Sequence, residues 1–254
     1  GERGVDPTDP PEREPYPFEA VGHEPRIQEL ADDFAKLGLK PFHVPLGVRL
    51  NDRDRAQSAC IRCETCDGFP CLVQAKADAE TMCVRPALAT GRVSLVTGAK
   101  AVRIETSADG RRATGVVVER GGREETYQGE VIVVSCGAIN SAALLLRSKS
   151  DRHPQGLANS SGMVGRHYMC HNNSALLAIS KRPNPTVFQK TLALNDFYFG
   201  SSEFEHPMGH ISMLGKSDAE MLAAGAPPMT PRAALKGMAS HSIDFWLTSE
   251  DLPD

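Results

Sequence analysis

The sequence of 254 residues is poor in several features that mark common protein classes. Aromatic residues make up 6%, with one tryptophan, and the longest apolar run, residues 131–146, is interrupted by polar residues and glycine. Such a run is too short to span a bilayer. The net charge of −4 gives no electrostatic reason to expect nucleic acid or an anionic membrane surface as a partner. No signal-peptide pattern is visible. We expect a cytoplasmic protein without a membrane segment.

Two motifs of known chemistry are also missing. No Gly-x-Gly-x-x-Gly pattern follows a strand, and this is the pattern that seats the pyrophosphate in complete dinucleotide-binding domains. No Gly-x-Ser-x-Gly turn follows a strand either, which leaves a Ser-His-Asp hydrolase unsupported. The hydrophobic content of 41% is nevertheless sufficient for a sizeable buried core.

The most informative stretch is residues 130–147, where a β-branched run leads directly into an apolar, helix-like segment. Residues 131–134 are apolar on both faces, which is typical of a strand covered on both sides in a parallel sheet. Gly137 permits a close approach or an unusual φ, and Asn140 or Ser141 is in position to cap the helix. The apolar face of this helix comprises Ala143, Leu144 and Leu146. A helix N-terminus reached in this way favours anionic groups such as a pyrophosphate.

Other elements follow from periodicity and from proline and glycine positions. Residues 1–24 are rich in proline and glutamate and are expected to form an extended loop or linker. A helix begins at Pro25 and ends at Gly38. The remaining predicted elements are a mostly helical segment at 72–88, the order β, β, β, α within 93–148, strands at 175–179 and 244–248, and a short helix at 233–238.

The residues from Val134 to Ser148, followed by those from Gly156 to Arg166 and by His171, resemble the middle of the glucose-methanol-choline (GMC) flavin oxidoreductase family. The resemblance extends from His23 to the last residue. Ala142 stands where the family usually has proline. Together with the unusual residues 149–151, this departure points to a branch similar to bacterial choline-dehydrogenase-like proteins.

The resemblance implies a mixed fold, α+β or α/β, that the chain contains only in part. Residues 93–170 would form part of a Rossmann-like FAD-binding domain, and residues 171–254 part of a substrate-binding domain with an antiparallel sheet. Residues 1–92 would provide a linker, a helix and a cysteine-rich segment before the cofactor strands. Because the family pattern continues on both sides, we expect an internal fragment, truncated at both ends.

The same resemblance implies an oxidoreductase that transfers hydride from the CH–OH group of an alcohol or sugar to FAD. The residues expected on the adenine and ribose side of the flavin are Ala101, Ser135, Gly137 and Asn140. The catalytic histidine of the family lies beyond the last residue, so no residue here is assigned as catalytic and the chain alone is expected to be inactive. Its expected partners are complementary segments of the same enzyme or an electron-acceptor subunit.

A dense cysteine cluster is the second chemical signal. Four thiols lie within twelve positions, at Cys60, Cys63, Cys66 and Cys71. This spacing suits thiolates that converge on one metal, and a Cys-x-x-Cys-x-x-Cys run is also the spacing of bacterial iron–sulfur ligands. Three interpretations stay open, namely disulfides or free thiols, an iron–sulfur cluster, and zinc. If a metal is bound, the chain is alternatively a metal-binding or iron–sulfur electron-relay module.

One histidine pair has the spacing of metal ligands. His206 and His210 lie four residues apart, but Pro207 and Gly209 between them favour a turn or a strand edge over a helix that presents both imidazoles. We therefore predict a turn or strand edge at this position.

Overall fold

The computed structural model describes residues 6, 8–9, 16, 18–64, 66–67 and 69–251. The chain divides into two units, one formed by Gly1–Ala89 with His171–Asp251 and the other by Thr90–Cys170. Most of the predicted linker at 1–24 and the last three residues lie outside the described residues. Within the described part, no helix combines the length and the apolar character that crossing a membrane requires.

Fifteen elements follow one another along the described residues. They are α1 (Pro25–Lys36), β1 (Phe42–His43), a 3-10 turn (Arg55–Gln57), a π-helical turn (Glu80–Val84), α2 (Arg85–Ala89), β2 (Ala99–Thr106), β3 (Ala113–Arg120), β4 (Arg123–Tyr127), α3 (Gly137–Arg147), β5 (His171–Ile179), β6 (Leu192–Leu194), β7 (His210–Met213), α4 (Ala219–Gly225), α5 (Arg232–His241) and β8 (Ser242–Glu250).

Helix α1 forms where the apolar spacing predicts it. Pro25 occupies the first turn, where its missing N–H costs nothing, and Gly38 follows the helix with φ +84°. Ile27 and Ala31 are buried, and they pack against apolar residues of the large sheet. Leu37, which belongs to the same apolar pattern, is instead 76% exposed because the helix has already ended at Lys36.

The first unit contains a five-stranded antiparallel sheet in the order β1-β6-β7-β8-β5. Strands β5 and β8 pair over nine positions, from His171 opposite Glu250 to Ile179 opposite Ser242. This pairing confirms the predicted strands at 175–179 and 244–248 and the antiparallel sheet predicted for the last third of the chain. The predicted helix at 233–238 is also confirmed, as α5.

The two faces of this sheet differ in chemistry because side chains alternate along each strand. One face packs under α1 and is apolar, with Leu192, Met213, Ile243 and Phe245 in the core. The opposite face carries the residues between them, which on β7 and β8 include the polar residues His210, Ser212, Asp244 and Thr248. Residues directly opposite each other in an antiparallel pair share a face, so this polar face runs across several strands.

The second unit contains the antiparallel sheet β2-β3-β4, with α3 packed against β2. Ile104 on β2 donates its N–H to Ser148 Oγ at 2.9 Å, and Ser148 Oγ in turn donates to the Leu144 carbonyl at 2.6 Å. The order β, β, β, α is therefore as predicted. The third strand, however, is Arg123–Tyr127 rather than residues 131–134.

The prediction of a doubly covered parallel strand at residues 131–134 is wrong for this structure. The segment is not part of any strand, and Val131 and Val133 are 80% and 78% exposed. A β-branched run becomes a strand only where a neighbouring strand accepts its hydrogen bonds and covers its side chains. Among the described residues every paired strand is antiparallel and none pairs with this segment. The helix predicted at 72–88 likewise begins only near Glu80.

Candidate functional site

Three of the four predicted cofactor residues meet at one exposed turn. Ser135, Gly137 and Asn140 all lie at the N-terminal end of α3, and all are exposed. Gly137 has φ +77°, and a Cβ at this position would meet nothing within 4 Å. Helix α3 begins at Gly137, so Asn140 lies inside the first turn and does not cap it. The Ser141 hydroxyl instead accepts the N–H of Cys136 at 3.0 Å.

The groups at this turn are suited to a phosphate and to hydroxyl groups. No side chain caps α3, so the N–H groups of its first turn are directed towards solvent at the positive end of the helix. Ser135 adds a hydroxyl and Asn140 a carboxamide, both neutral. This donor set fits the phosphate and ribose portions of a dinucleotide.

The fourth predicted residue lies elsewhere in the same unit. Ala101 is on β2, opposite Val118 of β3, and is half-buried. The register of the two strands shifts between Ala101 and Arg103, which marks a local irregularity. The structure therefore brings Ser135, Gly137 and Asn140 together and leaves Ala101 on a separate strand.

The loop after α3 fixes the helix from its other end. Asn159 is buried, and its Oδ1 accepts the N–H of Val164 at 3.0 Å while its Nδ2 donates to the Gln155 carbonyl at 3.0 Å. Gly156 has φ +102°, and a Cβ there would lie 2.8 Å from the Cα of Leu146. The close contact of loop and helix explains why glycine and asparagine recur in this segment.

The described residues do not gather the cysteine cluster into a metal site. All seven cysteines are free thiols, and no three His, Cys, Asp or Glu side chains of the described residues gather as a metal site. Residues 65 and 68, inside the cluster, lie outside the described part. Cys60, Cys63, Cys66 and Cys71 are free thiols in the structure, which is one of the interpretations left open by their spacing.

The hydrogen bonds of the sulfur atoms explain this result. Cys60 Sγ accepts the N–H of Arg62 at 3.4 Å, and Cys71 Sγ accepts the N–H of Ala75 at 3.2 Å, so each bonds to its own local backbone. The hydrogen bond from Ala75 lowers the pKa of the Cys71 thiol, whereas burial raises the pKa of Cys66. The three isolated cysteines, Cys83, Cys136 and Cys170, are exposed.

A cleft of about 960 Å³ lies in the first unit beside β1. His43 lines it, and the His43 ring stacks on that of His23 with centroids 3.7 Å apart and planes 5° from parallel. His43 Nδ1 donates to the Val21 carbonyl at 2.9 Å, and His23 Nδ1 lies 2.8 Å from Thr191 Oγ1. Burial, and secondarily His43, lowers the pKa of His23 to about 4. Sequence reasoning missed this pair because twenty residues separate its members.

A third histidine, His210, is held in a chain of hydrogen bonds next to the cleft. Asn195 donates its Nδ2 to both carboxylate oxygens of Asp6, at 2.9 and 3.0 Å, and its Oδ1 lies 2.7 Å from His210 Nδ1. Asp6 also lines the cleft. His210 begins β7, which confirms the strand edge predicted there. Burial lowers the pKa of His210, so the imidazole is neutral at neutral pH.

Comparison with known proteins agrees with the resemblance read from the sequence. The family model described as GMC oxidoreductase matches residues 43–173. The 6'''-hydroxyparomomycin C oxidase of Streptomyces lividus is 35% identical over 246 residues, which is 85% of this chain and 44% of the relative.

Two further relatives show the same pattern of partial coverage. Paromamine 6'-oxidase of Streptomyces fradiae is 37% identical over 131 residues, covering 51% of this chain and 24% of the relative. The gluconate 2-dehydrogenase flavoprotein of Pantoea cypripedii is 24% identical over 230 residues, covering 87% and 37%. The chain thus spans less than half the length of each curated relative.

Proposed function

Because the chain belongs to the GMC oxidoreductase family, we propose that it forms part of an FAD-dependent enzyme that oxidises the CH–OH group of an alcohol or sugar. The observation that carries this proposal is the family match over residues 43–173, which includes the turn at Ser135, Gly137 and Asn140. The relative named as a flavoprotein supports the choice of cofactor. The placement near choline-dehydrogenase-like proteins stays a prediction.

We assign the turn at the start of α3 to the phosphate and ribose portions of FAD. The uncapped N–H groups of the first turn would bind the phosphate, and Ser135 and Asn140 would bind hydroxyl groups. Gly137, with open space where a side chain would stand, lets the cofactor approach the backbone. FAD, when bound, supplies the acceptor for the hydride of the substrate carbon.

The substrate that we propose is a polyhydroxylated compound. Two relatives are named for paromomycin-type compounds and one for gluconate, all of which carry several hydroxyl groups. We also propose that residues 1–254 do not complete the reaction alone, since they contain no Gly-x-Gly-x-x-Gly pattern and no residue that the structure assigns as the base. A complementary segment or an electron-acceptor subunit would supply the missing part.

The FAD assignment can be tested by replacing Gly137. Valine is strained at φ +77° and would also occupy the open space, so Gly137→Val should lower the FAD bound per polypeptide about tenfold in the protein purified with its cofactor. Gly121→Val is the matched control, because Gly121 has φ +56° and open space but lies in the β3–β4 turn. Equal FAD content in both variants, measured by visible absorbance, would contradict the assignment.

A further inference from the structure

A buried polar network joins strand β8 to the segment 184–191 within the first unit. Its members Asn184, Gln189, Ser242 and Asp244 are each at most 1% exposed. Asn184 donates its Nδ2 to Gln189 Oε1 at 3.0 Å and to the Ser242 carbonyl at 2.7 Å. Because Gln189 Oε1 is an acceptor in this bond, the Nε2 of the same carboxamide faces Asp244. The network therefore ends at the Asp244 carboxylate.

The two oxygens of this carboxylate have different surroundings. Asp244 Oδ2 accepts from Gln189 Nε2 at 2.7 Å and from Ser242 Oγ at 3.0 Å. Oδ1 is buried as well, but no described residue gives it a hydrogen-bond partner. Buried polar atoms are normally paired, because burial removes their hydration. Oδ1 therefore lacks the interaction that its burial requires.

Protonation of Asp244 does not supply this interaction. A proton on Oδ1 would itself need an acceptor, and no described residue provides one there. A proton on Oδ2 would compete with the two donors that already face this oxygen. The side chain therefore fits its surroundings as an anion.

The negative charge of this anion has no cationic partner in the described part of the chain. None of the ion pairs among the described residues includes Asp244. Lys216 contacts the same network, but its Nζ donates to the Asn184 carbonyl. Both donors on Oδ2 are neutral groups. Since a buried charge without a counter-charge is strongly disfavoured, a cation from solvent would balance it.

The chemistry of the open atoms indicates the kind of cation. Thr186 Oγ1 is also buried without a hydrogen-bond partner, and the Thr186 N–H donates to Asn184 Oδ1 at 3.2 Å, so this second open oxygen belongs to the same network. Oxygen ligands select hard cations over zinc or copper. Calcium sites usually draw on several carboxylates, whereas Asp244 is the one carboxylate in this network. A single negative charge is matched by a single positive charge.

We propose that Asp244 Oδ1 binds a monovalent alkali-metal cation, sodium or potassium, that compensates the buried carboxylate. The cation would stabilise the attachment of the segment 184–191 to β8. This site belongs to the first unit, whereas the turn assigned to FAD belongs to the second. The inference does not depend on the proposed function.

The proposal predicts that unfolding depends on the identity of the cation. Urea denaturation of the protein purified with its cofactor would compare sodium chloride, potassium chloride and tetramethylammonium chloride at equal ionic strength. For a Kd of about 10 mM, an alkali-metal cation at about 100 mM should lower the equilibrium constant of unfolding about tenfold relative to tetramethylammonium. The sodium and potassium arms identify the preferred ion. Equal unfolding in all three salts would overturn the proposal.

Replacement of Asp244 locates the effect. Asp244→Asn removes the charge and keeps the shape of the side chain, so the difference between alkali-metal and tetramethylammonium salts should disappear. Asp32→Asn is the matched control, because Asp32 is an exposed aspartate on α1, and it should retain the full difference. A salt difference in Asp244→Asn as large as in Asp32→Asn would overturn the assignment to Asp244.

A second variant covers the case in which Asp244→Asn does not fold. Asp244→Ser also removes the charge and is smaller than aspartate, so it should likewise lose the salt difference. A folded Asp244→Ser protein that retains the difference would contradict the site. If neither variant folds, the three-salt comparison of the unsubstituted protein decides the proposal by itself.

Discussion

At the scale of single residues, His23 makes stability depend on pH. Its folded-state pKa of about 4 lies below the ordinary value of 6.5, because burial and the stacked His43 disfavour the imidazolium, while Asp32 opposes them weakly. The unfolded chain therefore binds a proton first as the pH falls. The contribution of His23 is fully present above about pH 6.5 and is lost progressively towards pH 4.

We predict that urea denaturation will show a smaller free energy of unfolding near pH 5 than near pH 7, and that His23→Asn will reduce this difference. Burial also lowers the pKa of His210, so part of the pH dependence of the free energy of unfolding should persist in the His23→Asn variant. His206→Asn removes an exposed imidazole and is the control. If the free energy of unfolding of His23→Asn falls between pH 7 and pH 5 as much as that of the unsubstituted chain, the pKa of His23 is not lowered in the folded state.

Gly209 is the residue before β7, and its backbone lies close to the backbone of β8. It has φ +87°, and a Cβ would lie 2.0 Å from the Thr248 carbonyl oxygen and 2.8 Å from the Cα of Ser249. Backbone atoms cannot move aside as a flexible side chain would. Gly209→Ala should therefore lower the free energy of unfolding by more than about 2 kcal/mol.

The control variant replaces Gly237, a glycine within helix α5. Gly237 lies within α5 and a Cβ there meets nothing within 4 Å, so Gly237→Ala should raise the free energy of unfolding by up to about 1 kcal/mol. Thermal and urea denaturation of both variants measure the two effects. Similar changes in the two variants would mean that the contact at Gly209 is not tight.

At the scale of elements, α1 packs against the apolar face of the large sheet. Ile27 is completely buried in the cluster with Leu192, Met213 and Phe245, whereas Leu37, just beyond the helix, is 76% exposed. Ile27→Ala should lower the free energy of unfolding by about 3 kcal/mol, and Leu37→Ala by less than about 0.5 kcal/mol. Equal losses, measured by urea denaturation, would contradict the packing of α1.

The elements that the sequence predicts correctly are those whose apolar periodicity alone determines the type of element and its buried face. The period of the apolar residues in α1 and the alternation in β8 select one face for burial without reference to distant residues. Residues 131–134 are different, because a β-branched run requires a neighbouring strand, and the sequence does not say whether one is present. Cysteine spacing similarly permits convergence of the thiols but does not determine where each sulfur finds its hydrogen bond.

The same distinction applies to the candidate sites. Ser135, Gly137 and Asn140 were predicted from a local turn, and the structure places them together because they are neighbours in sequence. By contrast, hydrogen bonds join Asn173 to Trp246 and His210 to Asn195 across strands of the large sheet. Strand order and register create these contacts, and a single sequence contains no direct signal for either.

At the scale of the whole molecule, the chain is one part of a longer family pattern. It matches the GMC oxidoreductase model over residues 43–173 and spans 44% of the relative from Streptomyces lividus. The turn that we assign to FAD, at Ser135, Gly137 and Asn140, lies within the unit Thr90–Cys170.

The most direct test of the central claim is the visible absorption spectrum of the purified protein before and after anaerobic addition of paromamine or another polyol. We predict a flavin band that bleaches on addition, because hydride from the CH–OH carbon reduces the flavin. A purified protein without flavin, or with a flavin that no alcohol or sugar reduces, would contradict the assignment as an FAD-dependent oxidoreductase.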